Sequence, residues 1–172
     1  MSKALQNPLV REVIHLAGTL LIITVLVAGC LGAVDAITAD KIADINTQQI
    51  QRAMNEVIPG ASFEPAELTG EPGVIKAVYT ATAAGRYAGL CFEVSPNGFG
   101  GALGLIVGIS PENTVLGVQV VSSTETSGLG SRASEPEWRE QFTGKSGPLT
   151  VQKNTASGEN DIVAISGATI TS

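Results

Sequence analysis

The segment Ser166-Gly167-Ala168-Thr169-Ile170-Thr171-Ser172 follows directly on the apolar run Ile162 to Ile165. A strand ending in Ser-Gly-Ala makes a tight turn of small residues whose backbone N–H groups stay accessible, a cradle suited to an oxyanion or a phosphate. Thr169 offers a hydroxyl beside that cradle. The same composition fits a Ser/Thr-rich turn that merely closes a strand, and on these residues alone both readings stand. A second glycine-rich stretch, Gly128-Leu129-Gly130-Ser131-Arg132-Ala133, has the form G-x-G-x-x-A, which hints at a dinucleotide. That form carries weight only inside a βαβ unit with a ribose-binding acid about twenty residues on, and the surrounding pattern reads as antiparallel instead.

Other chemistries lack residues. His15 is the only histidine and sits in an apolar stretch near the N-terminus, so a Ser-His-Asp triad has no base. Two cysteines, Cys30 and Cys91, far apart in the chain, supply too few soft ligands for zinc or an iron–sulfur cluster, and no metal site is expected. Glu125 could form half of a carboxylate pair, but nothing singles out a second member. No catalytic residue is therefore assigned, and any redox chemistry must come from a borrowed group. A net charge of −6 and 4% aromatic residues argue against a nucleic-acid partner, because phosphate backbones would be repelled and stacking platforms are scarce.

The elements that must position these residues follow from length and pattern. At 172 residues the chain accommodates one compact domain plus one extra element, which excludes a multidomain enzyme. Val13 to Val34 run without a charged residue, a helix of roughly 33 Å that suffices for a hydrocarbon core of about 30 Å. Thr19 and Thr24 within it can return their hydroxyls to the preceding turn. Lys3 and Arg11 precede the span, whereas Asp35, Asp40 and Asp44 follow it, so the positive-inside bias keeps residues 1–12 cytoplasmic and places the remainder outside. Val27-Ala28-Gly29-Cys30 also fits a lipoprotein processing site, and a cleaved signal peptide is a further alternative to a permanent anchor. Beyond residue 34 stand fifteen acidic and eight basic residues, so the acidity belongs to the outer portion.

Residues 35–60 read as an amphipathic connector helix, with Ile42, Ile45, Ile50, Met54, Val57 and Ile58 at helical spacing and Pro59-Gly60 as its stop. Its apolar stripe packs on its own domain or docks on a membrane partner. Residues 61–73, rich in Pro, Gly and Glu, read as a linker or irregular loop. Four β-branched or alternating runs follow, Val74 to Tyr79, Tyr87 to Val94, Ala102 to Ile109 and Val115 to Val121, which predict an antiparallel sheet. Ser134 as cap and Pro136 in the first turn predict a short helix carrying Trp138 and Phe142, and Leu149 to Gln152 with Ile162 to Ile165 add two strands. The expected fold is α+β: one transmembrane helix, then an extracytoplasmic domain over 61–172 with an antiparallel sheet and flanking helices.

Taken together, Ser166-Gly167-Ala168-Thr169, Thr124-Glu125-Thr126-Ser127-Gly128-Leu129-Gly130, Gln141-Phe142-Thr143-Gly144-Lys145, Gly98-Phe99-Gly100-Gly101 and Val107-Gly108-Ile109 resemble the G subunit of the Rnf electron-transport complex, with its FMN-binding domain. The resemblance implies FMN joined to Thr169 by a phosphoester bond that a dedicated flavin transferase installs, with Ser166, Gly167 and Ala168 around the phosphate. It also implies that Glu125, Thr126, Gly128, Leu129 and Gly130 lie against the flavin, Leu129 shielding the ring edge and Glu125 bracing its loop. The implied role is electron relay within an ion-translocating ferredoxin:NAD⁺ oxidoreductase. The implied partners are the other Rnf proteins, RnfA, RnfB, RnfC, RnfD and RnfE, the transferase and the lipid of a bacterial inner membrane. The homologous NqrC component of the sodium-pumping NADH:quinone reductase shares the flavin motif, and a non-redox surface lipoprotein or binding module is the reading from another class. Two positions depart from the family pattern: Ser127 stands where proline is usual, and Val163 where an acid is usual, with Asp161 two residues earlier. The family's chains also run on into a helix after the motif, where this sequence stops at Ser172.

Overall fold

The computed structural model describes residues 8–68 and 73–172. Helix α1 spans Pro8–Val57, and the chain divides into two compact units, residues 1–47 and 48–172. In the first unit the side chains of the apolar run face outward: Leu16, Leu20, Leu21, Ile22 and Leu26 are each more than half exposed. A surface of this kind is stable only against lipid or other apolar helices, and α1 is long and apolar enough to cross a membrane. Thr19 Oγ1 donates to the His15 carbonyl and Thr24 Oγ1 to that of Leu20, both at 2.8 Å, so the two hydroxyls are satisfied inside the helix as the sequence predicts.

The second unit is built on an antiparallel sheet in the order β1-β2-β3-β4-β5, made of Ala61–Ala66, Ile75–Ala83, Arg86–Val94, Gly104–Ile109 and Val115–Ser122. The meander follows from four alternating runs joined by short connections, which pair neighbours without crossovers. One face is covered by the last turns of α1. Ala53, Met54, Val57 and Ile58 pack there with Ala81, Cys91 and Ile106, which lie on one face because Cys91 registers with Gly108 and Ile106 with Glu93. Cys91 is fully buried, and burial pushes its thiol up to about 11, so it behaves as a small core residue and not a nucleophile. The apolar stripe expected over residues 35–60 is thus divided. Ile50, Met54, Val57 and Ile58 serve this core, whereas Ile42 and Ile45, in the first unit, stay exposed.

Three local expectations change. The expected linker begins as strand β1, which pairs with β2 from Ala61↔Ala83 to Ala66↔Val78. Phe63 packs against the core, and Pro65, which cannot donate to a ladder, is tolerated because β1 is an edge. Residues 69–72 of the same stretch lie outside those described. The helix start falls one residue later than Ser134: Glu135 occupies the cap of α2 (Pro136–Arg139) without a side-chain hydrogen bond, and a 3₁₀ turn over Gly130–Ser134 precedes it. Finally β6 (Thr150–Gln152) and β7 (Asp161–Val163) form a separate parallel pair.

The second core cluster joins Ala133, Ile165 and Ala168, with Trp138 against them. Trp138 and Phe142 meet edge to face at 5.1 Å. On the α1 side of the sheet the fit is close enough to forbid a methyl group: a Cβ at Gly108 would overlap Val57 Cγ1. Gly108→Ala is expected to lower unfolding stability by about 1–3 kcal/mol in denaturant titrations. Adding Val57→Ala should restore much of that loss, whereas additive losses would contradict the packing.

Candidate functional site

Three connections from the same region of the second unit build the site, and each has a local reason for its shape. The loop after β3 is pinched by Gly98 N–H donating to the Gly101 carbonyl at 2.8 Å and Leu103 N–H to that of Pro96 at 2.9 Å. The loop after β5 turns at Thr126–Leu129, closed by Leu129 N–H to the Thr126 carbonyl at 3.1 Å, with Gly128 at φ +80°. A positive φ at the third residue is the type II geometry, whose second position favours proline. Ser127 occupies that position here, so the turn forms without the proline usual in the family. The turn after β7 repeats the pattern: Ala168 N–H donates to the Ile165 carbonyl at 2.9 Å, with Gly167 at φ +82°.

Glu125 binds the first two loops together. Its Oε1 accepts the Gly100 N–H at 3.0 Å, while Thr124 Oγ1 donates to the Gly100 carbonyl at 3.2 Å. The carboxylate is so closely seated that a Cβ on either Gly98 or Gly130 would overlap it. A side chain at either glycine would therefore displace the carboxylate from its seat. Leu129 joins the second loop to the third, its Cδ2 lying 3.2 Å from where a Cβ on Gly167 would stand. The first loop reaches the third through Phe99 N–H, 3.5 Å from Thr171 Oγ1.

Around this junction Phe99, Glu125, Thr126, Leu129, Gly130, Gly167, Ala168 and Ile170 line a cleft of about 200 Å³. Six of these residues were singled out from sequence, whereas Phe99 and Ile170 were not. The signal for Phe99 lay in Gly98-Phe99-Gly100-Gly101, since a large apolar residue between glycines is covered by little of its own loop. Gly128 shapes its turn without lining the cleft, and Ser166 and Thr169 also fall outside the lining. Thr169 sits between the lining residues Ala168 and Ile170, exposed, with no hydroxyl hydrogen bond among the described residues.

Its neighbours are committed. Thr171 is buried with its hydroxyl facing the Phe99 N–H, and Ser172 Oγ accepts from Ile165 N–H at 2.9 Å and donates to the Ala168 carbonyl at 3.0 Å. Ala168 departs from the expected cradle, because its N–H closes the turn and its methyl is buried. The N–H groups of Ser166, Gly167, Thr169 and Ile170 have no acceptor among the described residues.

Positioning residues missed by sequence reasoning lie behind the turn. Trp138 Nε1 donates to the Val163 carbonyl at 2.8 Å, and Gln141 Oε1 accepts the Val163 N–H at 2.8 Å, so the strand leading to Ser166 is clamped on both polar groups of one residue. Asp161 turns away from this arrangement: its carboxylate accepts the N–H groups of Gly158 at 2.8 Å and Ser157 at 3.1 Å. Those bonds hold it below the usual carboxylate range.

The fold and the site define a flavin-binding class. Residues 98–172 match the FMN-binding domain family, and the match begins at the first loop of the cleft. The chain is 35% identical over 178 residues to the G subunit of the Na⁺-translocating ferredoxin:NAD⁺ oxidoreductase complex of Acetobacterium woodii, covering 94% of this chain and 86% of the relative. It is 34% identical to the G subunit of the ion-translocating oxidoreductase complex of Shewanella baltica, over 82% of this chain and 71% of that one. The chain belongs to the family of G subunits of ion-translocating oxidoreductase, or Rnf, complexes. The crystal structure of the C subunit of the Na⁺-translocating NADH-quinone reductase from Parabacteroides distasonis shares the fold, with a TM-score of 0.55 over 78% of this chain and 86% of that one at 22% identity.

The loop geometry carries two expectations. Ser127→Pro supplies the turn with a pre-set φ at a position whose N–H donates to nothing among the described residues, and should stabilise by about 0.4–1 kcal/mol, read as a higher Tm. Gly98→Ala and Glu125→Ala should be strongly coupled, with an interaction energy of about 0.5–3 kcal/mol in a double-mutant cycle, because the second substitution removes most of what the first collides with.

Proposed function

We propose that this chain is an electron-relaying flavoprotein subunit whose FMN is attached to Thr169 by a phosphoester bond. The observation that carries the reading is the placing of the hydroxyls: of four in seven residues, Thr171 and Ser172 are engaged within the fold, Ser166 and Thr169 are exposed without a hydroxyl hydrogen bond among the described residues, and of these two Thr169 alone has a cleft-lining residue on each side. A phosphodiester there keeps about one negative charge, and the free N–H groups of Ser166, Gly167, Thr169 and Ile170 are the donors available to it. The residues suit the group: Leu129 and Ile170 offer an apolar wall, and Gly167 leaves backbone open where a side chain would block a flat ring.

The cleft is smaller than the roughly 300 Å³ at which ligand pockets usually begin. Burial alone holds a ring weakly in so shallow a site. A covalent tether replaces that missing affinity with a high effective concentration and prevents loss of cofactor to a dilute exterior. Bound FMN supplies one- and two-electron transfer. The chain's own part is to hold the ring through Leu129 and Thr126, to brace the two loops through Glu125 and to keep the attachment turn in shape through Gln141 and Trp138.

Residues 13–34 form the spanning part of α1, with residues 1–12 cytoplasmic and the flavin domain, residues 61–172, on the extracytoplasmic face of a bacterial inner membrane. The basic residues before the span and the acidic ones after it support this orientation. Electrons reach the domain from the other proteins of a ferredoxin:NAD⁺ oxidoreductase, RnfA, RnfB, RnfC, RnfD and RnfE, and the flavin transferase is a partner during maturation. The span contains no acidic residue, so the ion path is assigned to those other proteins and not to this helix.

The test is ultraviolet fluorescence of the protein band on a denaturing gel after co-expression with the transferase. The wild-type band should fluoresce, Thr169→Val should be dark, and Ser166→Ala and Thr171→Val should each retain fluorescence. A dark wild-type band or a bright Thr169→Val band would refute the attachment.

A further inference from the structure

Phe99 is, at 75% exposure, the least covered large apolar side chain of the second unit. The exposure is not that of a slack loop. Its backbone is held on both sides by the Gly98–Gly101 bond, the Gly100 N–H on Glu125 and the Thr124 hydroxyl on the Gly100 carbonyl, and its own N–H points at Thr171. A phenyl ring presented to water by an ordered loop forgoes the stabilisation of burial unless something covers it. The chain has seven aromatic residues, and most of the others have partners: Phe63 and Tyr79 in the first core, Trp138 and Phe142 against each other.

Two more uncovered apolar side chains, Ile170 at 68% and Leu129 at 45%, come from two other loops and line the same cleft. Three apolar groups converging from three separate segments define a site for a flat apolar body. The Phe99 to Thr171 contact ties the loop that carries the phenyl ring to the turn that carries Thr169, two residues away. Platform and attachment point are thereby held on joined pieces of backbone.

We infer that Phe99 is the aromatic wall of the cleft, stacking on the isoalloxazine ring of the attached FMN, while Leu129 and Ile170 border it. The inference rests on the flavin reading above and adds a residue that positions the ring where the Thr169 tether only keeps it nearby. Aromatic faces prefer offset stacking on other aromatic faces. A phenyl ring therefore orients the flavin plane in a way that an aliphatic side chain of equal size does not.

The experiment replaces the wall with a quencher. Phe99→Trp, Phe99→Leu and the control Tyr87→Trp, at a half-exposed position outside the cleft lining, are made in the full chain and co-expressed with the transferase. Fluorescence on the denaturing gel reports attachment, and emission, excited-state lifetime and anisotropy of the native protein report ring contact. At equal gel fluorescence, Phe99→Trp should lose native emission several-fold with a shortened lifetime, because an indole in face contact donates an electron to the excited flavin. Unfolding should restore the emission, and Tyr87→Trp should leave it unchanged. Phe99→Leu should stay bright on the gel and show lower native anisotropy as the ring gains freedom.

Unchanged native emission in Phe99→Trp together with unchanged anisotropy in Phe99→Leu would overturn the stacking while leaving the attachment intact. A wild-type band dark on the gel would overturn both. Loss of a dimer in the Phe99 variants without any change in emission would assign the phenyl ring to a contact between copies, and would equally overturn it.

Discussion

The candidate site depends on one carboxylate wedged between two stretches of backbone. Glu125 fills the space that side chains at Gly98 and Gly130 would need, and it accepts the Gly100 N–H. A charged acceptor on a backbone donor makes a stronger bond than a neutral one, and here it joins two loops that have no regular secondary structure to hold them. Without it, the loop carrying Phe99 and the loop carrying Leu129 would keep only the Thr124 hydroxyl on the Gly100 carbonyl as a side-chain hydrogen bond between them, and each would move more freely. With it they form two sides of one cleft.

The sheet's part is to bring the ends of those loops near each other. β4 lies between β3 and β5 in the antiparallel meander, so the connection leaving β3 and the chain leaving β5 emerge at the same end of adjacent hairpins. The third side arrives differently. β7 is a three-residue strand paired only with the equally short β6, too little to place a turn by itself. Trp138 and Gln141 make up the deficit by gripping Val163 on its carbonyl and its N–H. Behind them the small core of Ala133, Ile165 and Ala168 keeps the turn down. The motif around Gln141 is thus a support for the turn after β7.

The small cleft, about 200 Å³, and the proposed covalent attachment complement each other. A deep pocket retains its cofactor by surrounding it, which also insulates it. A small open cleft leaves a redox ring near the surface, where electrons must pass to and from partner carriers, and gives up retention. The proposed bond between cofactor and chain would restore retention without deepening the cleft. The hydroxyls that are free are then as informative as those that are not: Thr171 and Ser172 are occupied in holding the fold together, whereas Ser166 and Thr169 are exposed, and Thr169 stands between two residues that line the cleft.

The long apolar run, four of the five strands of the main sheet and the small-residue turn after β7 were legible in the sequence because each is a local pattern: a long uncharged run, an alternation of period two, a turn of small residues. What the sequence could not determine is what depends on distance in space. Strand β1 looked like a linker because Pro65 and the glycine-rich stretch after it hide an alternation that only pairing with β2 reveals. Phe99 and Ile170 carried no signal of a shared cleft, being 71 positions apart in sequence. Whether Glu125 was a solvated acid or a brace, and which hydroxyls of four stood free, turned on contacts between loops that only the packed sheet brings together. Side-chain type is local information, but the availability of a side chain is set by its neighbours, and those belong to the tertiary structure.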